Sequence, residues 1–263
     1  MFTVVVPAGV TRVARHIGAL AVAAVATASV AHFAALPAAA RPRLGTVARP
    51  ASLLALPLRA VAVSNRDIAL TFDISWGTVM PPKVIDILRR EHVAATFFLT
   101  GPWVTAHPQL VRAIAATPDF QIESHGQAHV NFSHLGPAEV EANIERASAA
   151  IYAVTGRRPT MIRPPNGDYS RMSLDVTASL GLRTVIWDTD SRDWMNPGVE
   201  AIVRRVVTHA HPGDIVLLHA SDTCKETDLA LPSIITDLRD AGYRFVTVGQ
   251  LLQAGAPLAH SMN

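Results

Sequence analysis

From residue 66 onward, short apolar runs alternate with amphipathic stretches. The runs, rich in β-branched residues, fall at 67–73, 93–99, 120–123, 160–163, 183–187, 214–218 and 243–248. Between them, apolar residues recur at helical spacing in 83–91, 108–116, 137–154, 199–208 and 231–241. Gly156, Gly181 and Gly242 stand where helices should stop, because a left-handed C-cap costs glycine little. Strand alternating with helix predicts an α/β fold around a parallel sheet. Seven such units in about 185 residues predict one compact (β/α) barrel, closed or incomplete, with an open doubly wound sheet as the alternative. No Gly-x-Gly-x-x-Gly turn follows the first run, which counts against a dinucleotide-binding sheet.

The residues before the domain are of another kind. Arg12, Arg15 and His16 precede an uncharged run, 17–40, that is rich in Ala and Val and ends Ala38-Ala39-Ala40. A basic start, an apolar middle and a small-residue end predict an export signal, and hence an extracellular or wall-associated protein. The run is also long enough to span a bilayer, so a membrane anchor through residues 17–40 is the alternative to cleavage. Its lack of a polar face argues against a buried helix. Residues 41–65, rich in Pro, Arg and Ala, predict a linker with one strand at 59–63, and 252–263 a C-terminal tail.

The chain of 263 residues is 49% hydrophobic and can bury a full core. Its net charge is only +2, and its Arg pairs are scattered over separate elements, which gives no footprint for nucleic acid. The mild positive balance suits an anionic wall. The lone cysteine, Cys224, offers neither a disulfide nor a Cys-based metal site.

The unusual polar residues fall at the ends of the predicted strands. Asp73 ends the first, and the segment from Glu123 through His125 to His129 ends the third. Arg163-Pro-Pro-Asn-Gly167 ends the fourth, Asp188 to Trp194 the fifth and His219-Ala-Ser-Asp222 the sixth. In a parallel barrel all these ends open on one face, where active sites are built. Asp73 reads as a chemical group at that mouth, or else as the cap of the next helix. His125 and His129, four apart, would share one side of a helical turn. With Asp73 they make a two-His-plus-carboxylate set open to a divalent metal, zinc being the expected ion; a surface His pair is the alternative. Arg163 can hold a carboxylate ionised, or form a structural ion pair with Asp193. His219 can donate a proton near neutral pH, or be a hydrogen-bonded core histidine. Trp76 and Trp194 could wall a sugar site, or simply cover the rim. His134 is the remaining histidine nearest the metal candidates.

In order, Thr-Phe-Asp, Ser-His-x-x-x-His, Arg-Pro-Pro-x-Gly, Asp-x-x-Asp-Trp and Leu-x-His resemble the NodB-homology polysaccharide deacetylases, carbohydrate esterase family four. The match spans about 66–251. The longer strings Ala-Leu-Thr-Phe-Asp-Ile-Ser-Trp-Gly and Leu-Leu-His-Ala-Ser-Asp look like the sporulation-type subgroup. The resemblance implies a distorted, seven-stranded NodB-type (β/α) barrel over 66–251 that removes N-acetyl groups from GlcNAc or MurNAc units of cell-wall glycan with a divalent metal. It implies Asp73 as base, His125 and His129 as metal ligands, and Arg163 as the group holding the base. It further implies Asp193 and Trp194 as the fourth-motif pair, Leu217 and His219 as acetyl pocket and acid, and the Asn166 N–H as oxyanion donor.

Three positions depart from that pattern. Ile74 stands where a second Asp usually ligates the metal, Gly126 where Ser or Thr is usual, and Asn166 where an aromatic is usual. Three consequences are open for Ile74: Asp73 ligates, two His and water hold the metal weakly, or metal and activity are lost. A catalytically weak glycan-binding or sporulation protein on the same fold is therefore the second functional expectation. The absence of a His-Glu-x-x-His helix argues against a peptidase.

Overall fold

The computed structural model describes residues 54–260. The predicted signal or anchor, residues 41–53 and residues 261–263 lie outside them. Among the described residues no helix is long and apolar enough to cross a membrane.

Among the described residues, ten strands and eight α-helices follow in chain order. The strands are β1 (Ala60–Ala62), β2 (Asp67–Ile74), β3 (Ala95–Leu99), β4 (Phe120–Ser124), β5 (Met161–Ile162), β6 (Arg183–Thr184), β7 (Thr189–Asp190), β8 (Ile215–His219), β9 (Arg244–Phe245) and β10 (Ala256–Leu258). The helices are α1 (Met80–Arg90), α2 (Gly101–Ala106), α3 (Pro108–Ala115), α4 (Pro137–Thr155), α5 (Arg171–Ser179), α6 (Val199–His209), α7 (Thr227–Asp240) and α8 (Val248–Ala254). The main sheet is parallel and ordered β6-β5-β4-β3-β2-β8-β7, with β9 beside the start of β2. This is the curled, distorted barrel expected from the alternation and the resemblance, with seven strands along its continuous path.

The centre is β2, buried over its whole length. Its side chains alternate between two layers. Leu70, Phe72 and Ile74 belong to the outer apolar layer, with Val84 and Leu88 of α1, Val104 of α2 and Ile234 of α7. Ala69 faces inward to Phe98, Ile215, Val246 and Val248. Each such fully buried Leu, Ile or Phe contributes about 1.5–3 kcal/mol. Asp73, at the strand's end, opens into a cavity at the sheet's C-terminal edge.

At the ends of the domain, the strand expected at 59–63 is present as β1, but the segments read as linker and tail pack into the fold. Within the predicted linker, Leu58 bonds to the Thr184 carbonyl and accepts from Ile186 N, bridging to β6. Val61 N bonds to Gly213 O just before β8. Residues 58–62 thus run between β6, at one end of the sheet, and the start of β8, and Leu58, Ala60 and Val61 are fully buried. Within the predicted tail, β10 pairs antiparallel with β1. The physical reason is that a curled sheet of short strands leaves an open seam, and a locally unremarkable segment can close it.

The helical spacing did not mark α2, marked only the end of α5, at Gly181, and did not mark α8. The first is one turn and a half beginning Gly-Pro. The second opens with a reciprocal Ser170–Ser173 cap. The third begins where the run 243–248 had been read as strand; Thr247 caps it through Gln250 N, and only Arg244–Phe245 remain extended. The three expected C-cap glycines take φ of +69, +76 and +82° at Gly156, Gly181 and Gly242.

Candidate active site

Asp73, Trp76, His125, His129, Asn166, Trp194, Leu217 and His219 line one cavity of about 450 Å³ at the sheet's C-terminal edge. Arg163 and Asp193 lie directly behind its wall, both with no exposed surface. All ten residues singled out in the sequence therefore meet at one place. His134 does not: it is exposed in a short 3-10 turn and does not line the cavity.

Asp73 is buried, more so than a residue at a barrel mouth suggests. Its Oδ1 accepts a 2.8 Å bond from Arg163 Nη1. Burial pushes the carboxyl pKa up, but Arg163, then His125 and His219, outweigh it and hold Asp73 below the ordinary carboxylate range. Arg163 is itself fixed by the Ile186 carbonyl at 3.1 Å and lies over the Phe98 ring at 4.2 Å. The predicted Arg163–Asp193 pair does not form: Arg163 serves Asp73, and Asp193 serves His219.

His219 Nδ1 lies 2.7 Å from Asp193 Oδ1. Asp193 Oδ2 accepts 2.7 Å bonds from His219 N and Thr227 Oγ1. Burial lowers the imidazole pKa, yet the Asp193 charge and hydrogen bond more than compensate, and His219 sits above its usual value. The carboxylate orients the ring so that Nε2 is left for the cavity.

The two other histidines are not on a helix, as their spacing had suggested; residues 125–131 form a loop. Gly126, at φ +78°, turns the chain so that the two rings meet edge to face, with centroids 5.2 Å apart. A side chain there would strike Asn143 Oδ1 at 2.6 Å, and that amide accepts from Gln127 N and donates to Ala128 O. Glycine replaces the usual hydroxyl residue because the α4 amide occupies its space. Asn166, in place of the usual aromatic, holds φ +58°, a conformation Asn tolerates.

His125 Nδ1 is 2.8 Å from the Arg163 carbonyl, which places its proton on that side. Burial pushes the ring pKa down to about 4 despite Asp73, so it is neutral near pH 7. Its bare Nε2 then faces Asp73 Oδ2 at 3.6 Å. A backbone-anchored neutral imidazole suits a cation, and the Asp73 oxygen that Arg163 leaves free lies beside it. His129, also lowered by burial, adds a second nitrogen at the rim. These residue types suit a divalent metal, but among the described residues their ligand atoms do not all lie within 4.8 Å of one another, and no second carboxylate joins them, because Ile74 lies on the opposite face of β2.

Another group of three, Asp193, His219 and Cys224, has ligand atoms within 4.8 Å of one another. Both Asp193 oxygens there already accept hydrogen bonds, and burial pushes the Cys224 thiol up to about 12. Saturated oxygens and a protonated thiol make this group the poorer cation site.

The family model for polysaccharide deacetylases matches residues 60–185. The chain is 36% identical to the peptidoglycan-N-acetylglucosamine deacetylase of Bacillus cereus over 72% of its length and 90% of that relative's. The chain belongs to the polysaccharide deacetylase family. Among solved structures, the peptidoglycan N-acetylglucosamine deacetylase Bc1960 matches with a TM-score of 0.72 and 28% identity, covering 76% of this chain and 94% of that one. The carbohydrate esterase family four pseudoenzyme BA3943 of Bacillus anthracis matches with a TM-score of 0.71 and 27% identity, covering 78% and 72%. The chain spans 57% and 40% of two further curated relatives, which are longer proteins. This confirms the resemblance at the level of family and barrel.

Sequence reasoning had not assigned Ser75, Trp187, Ser221, Thr223 and Cys224, which also line the deacetylase cavity. Trp187 is the largest of them, and its ring fills the space a side chain at Gly167 would take. Its position at the end of the fifth predicted strand was the available signal.

Proposed function

We propose that this chain is an exported, metal-assisted deacetylase acting on N-acetylated GlcNAc or MurNAc units of cell-wall glycan. The observation that carries the reading is the pair of opposed, prepared groups on one cavity. One is Asp73, held ionised by Arg163; the other is His219, whose pKa Asp193 holds above the usual imidazole value.

A divalent cation at His125 and His129, with zinc the expected ion, would supply Lewis acidity toward the acetyl carbonyl and the attacking water. Asp73 Oδ2, the oxygen not bound by Arg163, takes the proton from that water. The Asn166 N–H faces the developing oxyanion. Leu217 lines the acetyl pocket, and Trp76 and Trp194 flank the sugar. His219 gives its proton to the departing amine. The products are acetate and a free glucosamine-type amine. Export, or anchoring through residues 17–40, and a role in sporulation are expectations carried by sequence alone.

Acetate release from N-acetylated chito-oligomers, with and without chelator and added zinc, tests the reading. Metal-dependent acetate release is expected. Metal content is expected to fall in both His125→Ala and His129→Ala; unchanged content in both would remove these residues from the metal site. A second reading has one observation in its favour. Ile74, where the family places a ligand, is sealed in the outer apolar layer. On that reading the protein binds glycan with little turnover, and oligomer binding without acetate release would establish it.

A further inference from the structure

Helix α1 begins at Met80 with no cap of its own: Val79 offers no side-chain bond, and Pro81-Pro82 follow. Its first N–H groups are served by Asp222, from the loop after β8. Asp222 Oδ1 accepts from Met80 N at 2.7 Å and Val79 N at 3.0 Å, and Oδ2 from Thr78 N at 3.0 Å. In return Asp222 N donates to the Trp76 carbonyl at 3.4 Å. Gly77 lies beneath at φ +94°, so close that a side chain would meet Asp222 Cγ at 2.1 Å. Ser75 N donates to Ser221 Oγ at 3.1 Å, and Trp103 Nε1 to the Gly77 carbonyl at 2.8 Å.

The turn held in this way carries Trp76, a residue 47% exposed on the cavity wall, whose ring meets His129 edge to face, with centroids 5.2 Å apart. No side chain of the turn itself determines where Trp76 stands. Its neighbours along the chain are Ser75 and Gly77, and an exposed indole on a glycine turn loses little by swinging away. A carboxylate accepting three backbone N–H groups is the strongest restraint on that turn.

We propose that Asp222 is a positioning residue that fixes Trp76 against His129 and so sets one wall of the saccharide site. Asp222 acts through backbone, does not line the cavity, and couples the loop of the acid, His219, to the turn that follows the base, Asp73. The inference rests on the reading of Trp76 as a sugar wall.

The test compares wild type, Asp222→Asn, Asp222→Ala, Trp76→Ala and the double variant Asp222→Ala/Trp76→Ala, with chitotetraose as the probe. Trp76→Ala is expected to weaken chitotetraose binding about fivefold. Asp222→Ala should lose about as much, the double variant no more than Trp76→Ala, and Asp222→Asn, which keeps one accepting oxygen, an intermediate amount. Full loss in Trp76→Ala with none in Asp222→Ala overturns the positioning role alone, as does a double variant that loses the sum. Wild-type binding in Trp76→Ala overturns the sugar-wall reading and the inference together. Iodide quenching of Trp76 emission, taken as each protein minus its Trp76→Phe counterpart, reads the position without sugar. It should rise about twofold in Asp222→Ala, and unchanged quenching overturns the proposal.

Discussion

At the scale of single residues, the site is two buried charge pairs facing one cavity. Asp73 and Arg163 depend on each other, because Arg163 has no exposed surface and Asp73 is its partner. Asp73→Asn is therefore expected to do two things. It should cut acetate release by about 10²–10⁴-fold through loss of the base. It should also lower stability by on the order of 3 kcal/mol, since a buried guanidinium loses its counter-charge. Kinetics and thermal melting on one preparation check both; a variant as stable as wild type would show that water reaches Arg163. The second pair makes a pH prediction. His219 acts while protonated, so its contribution persists up to its folded pKa, above the usual 6.5, and is lost as pH rises through it. Asp193→Asn removes the charge that raises it most and leaves burial, which lowers it, opposed only by the charge of Asp73. The alkaline limb of the rate profile should move to lower pH, so that the deficit at pH 8 exceeds that at pH 5.5.

At the scale of elements, β2 decides what a substitution at position 74 can do. Strand alternation turns Ile74 away from Asp73 and into the layer beneath α1 and α2, where it is fully buried. Ile74→Asp should place a carboxylate among Val84, Val104 and Phe72, at a cost of about 3 kcal/mol or more. The melting temperature is expected to drop equally with chelator and with zinc. A recovery under zinc alone would mean that the strand end unwinds to bring position 74 to the metal. The loop after β4 shows the reverse case. Two histidines spaced as on a helix meet instead because Gly126 turns and Asn143 of α4 holds the loop, a contact no local spacing could announce.

At the scale of the whole molecule, the seam between β6 and β8 is closed by residues 58–62, and β10 covers them in turn. The domain boundary drawn from the sequence, Arg66, cuts this closure away. A chain beginning at Arg66 should lose the burial of Leu58, Ala60 and Val61. It should melt about 10 °C or more below one beginning at residue 54. Equal melting temperatures would make the seam strand an accessory.

The sequence by itself determined the parallel barrel, the ends at which polar groups gather, and the ten residues that line or back the cavity. These follow from periodicity and from the rule that parallel strands present their C-terminal ends together, so a polar residue ending an apolar run must appear on that face. Only the tertiary structure decided the partners. Arg163 bonds Asp73, as the family resemblance implied, and not Asp193; the cap of α1 came from Asp222 rather than Asp73, and Ile74 turned outward. The first two depend on groups far apart in the chain being brought within about 3 Å of one another, whereas Ile74 turns outward by strand alternation once Asp73 faces the cavity. Hydrogen bonds act over that distance and are specified by orientation, whereas linear spacing records only which face a residue is on.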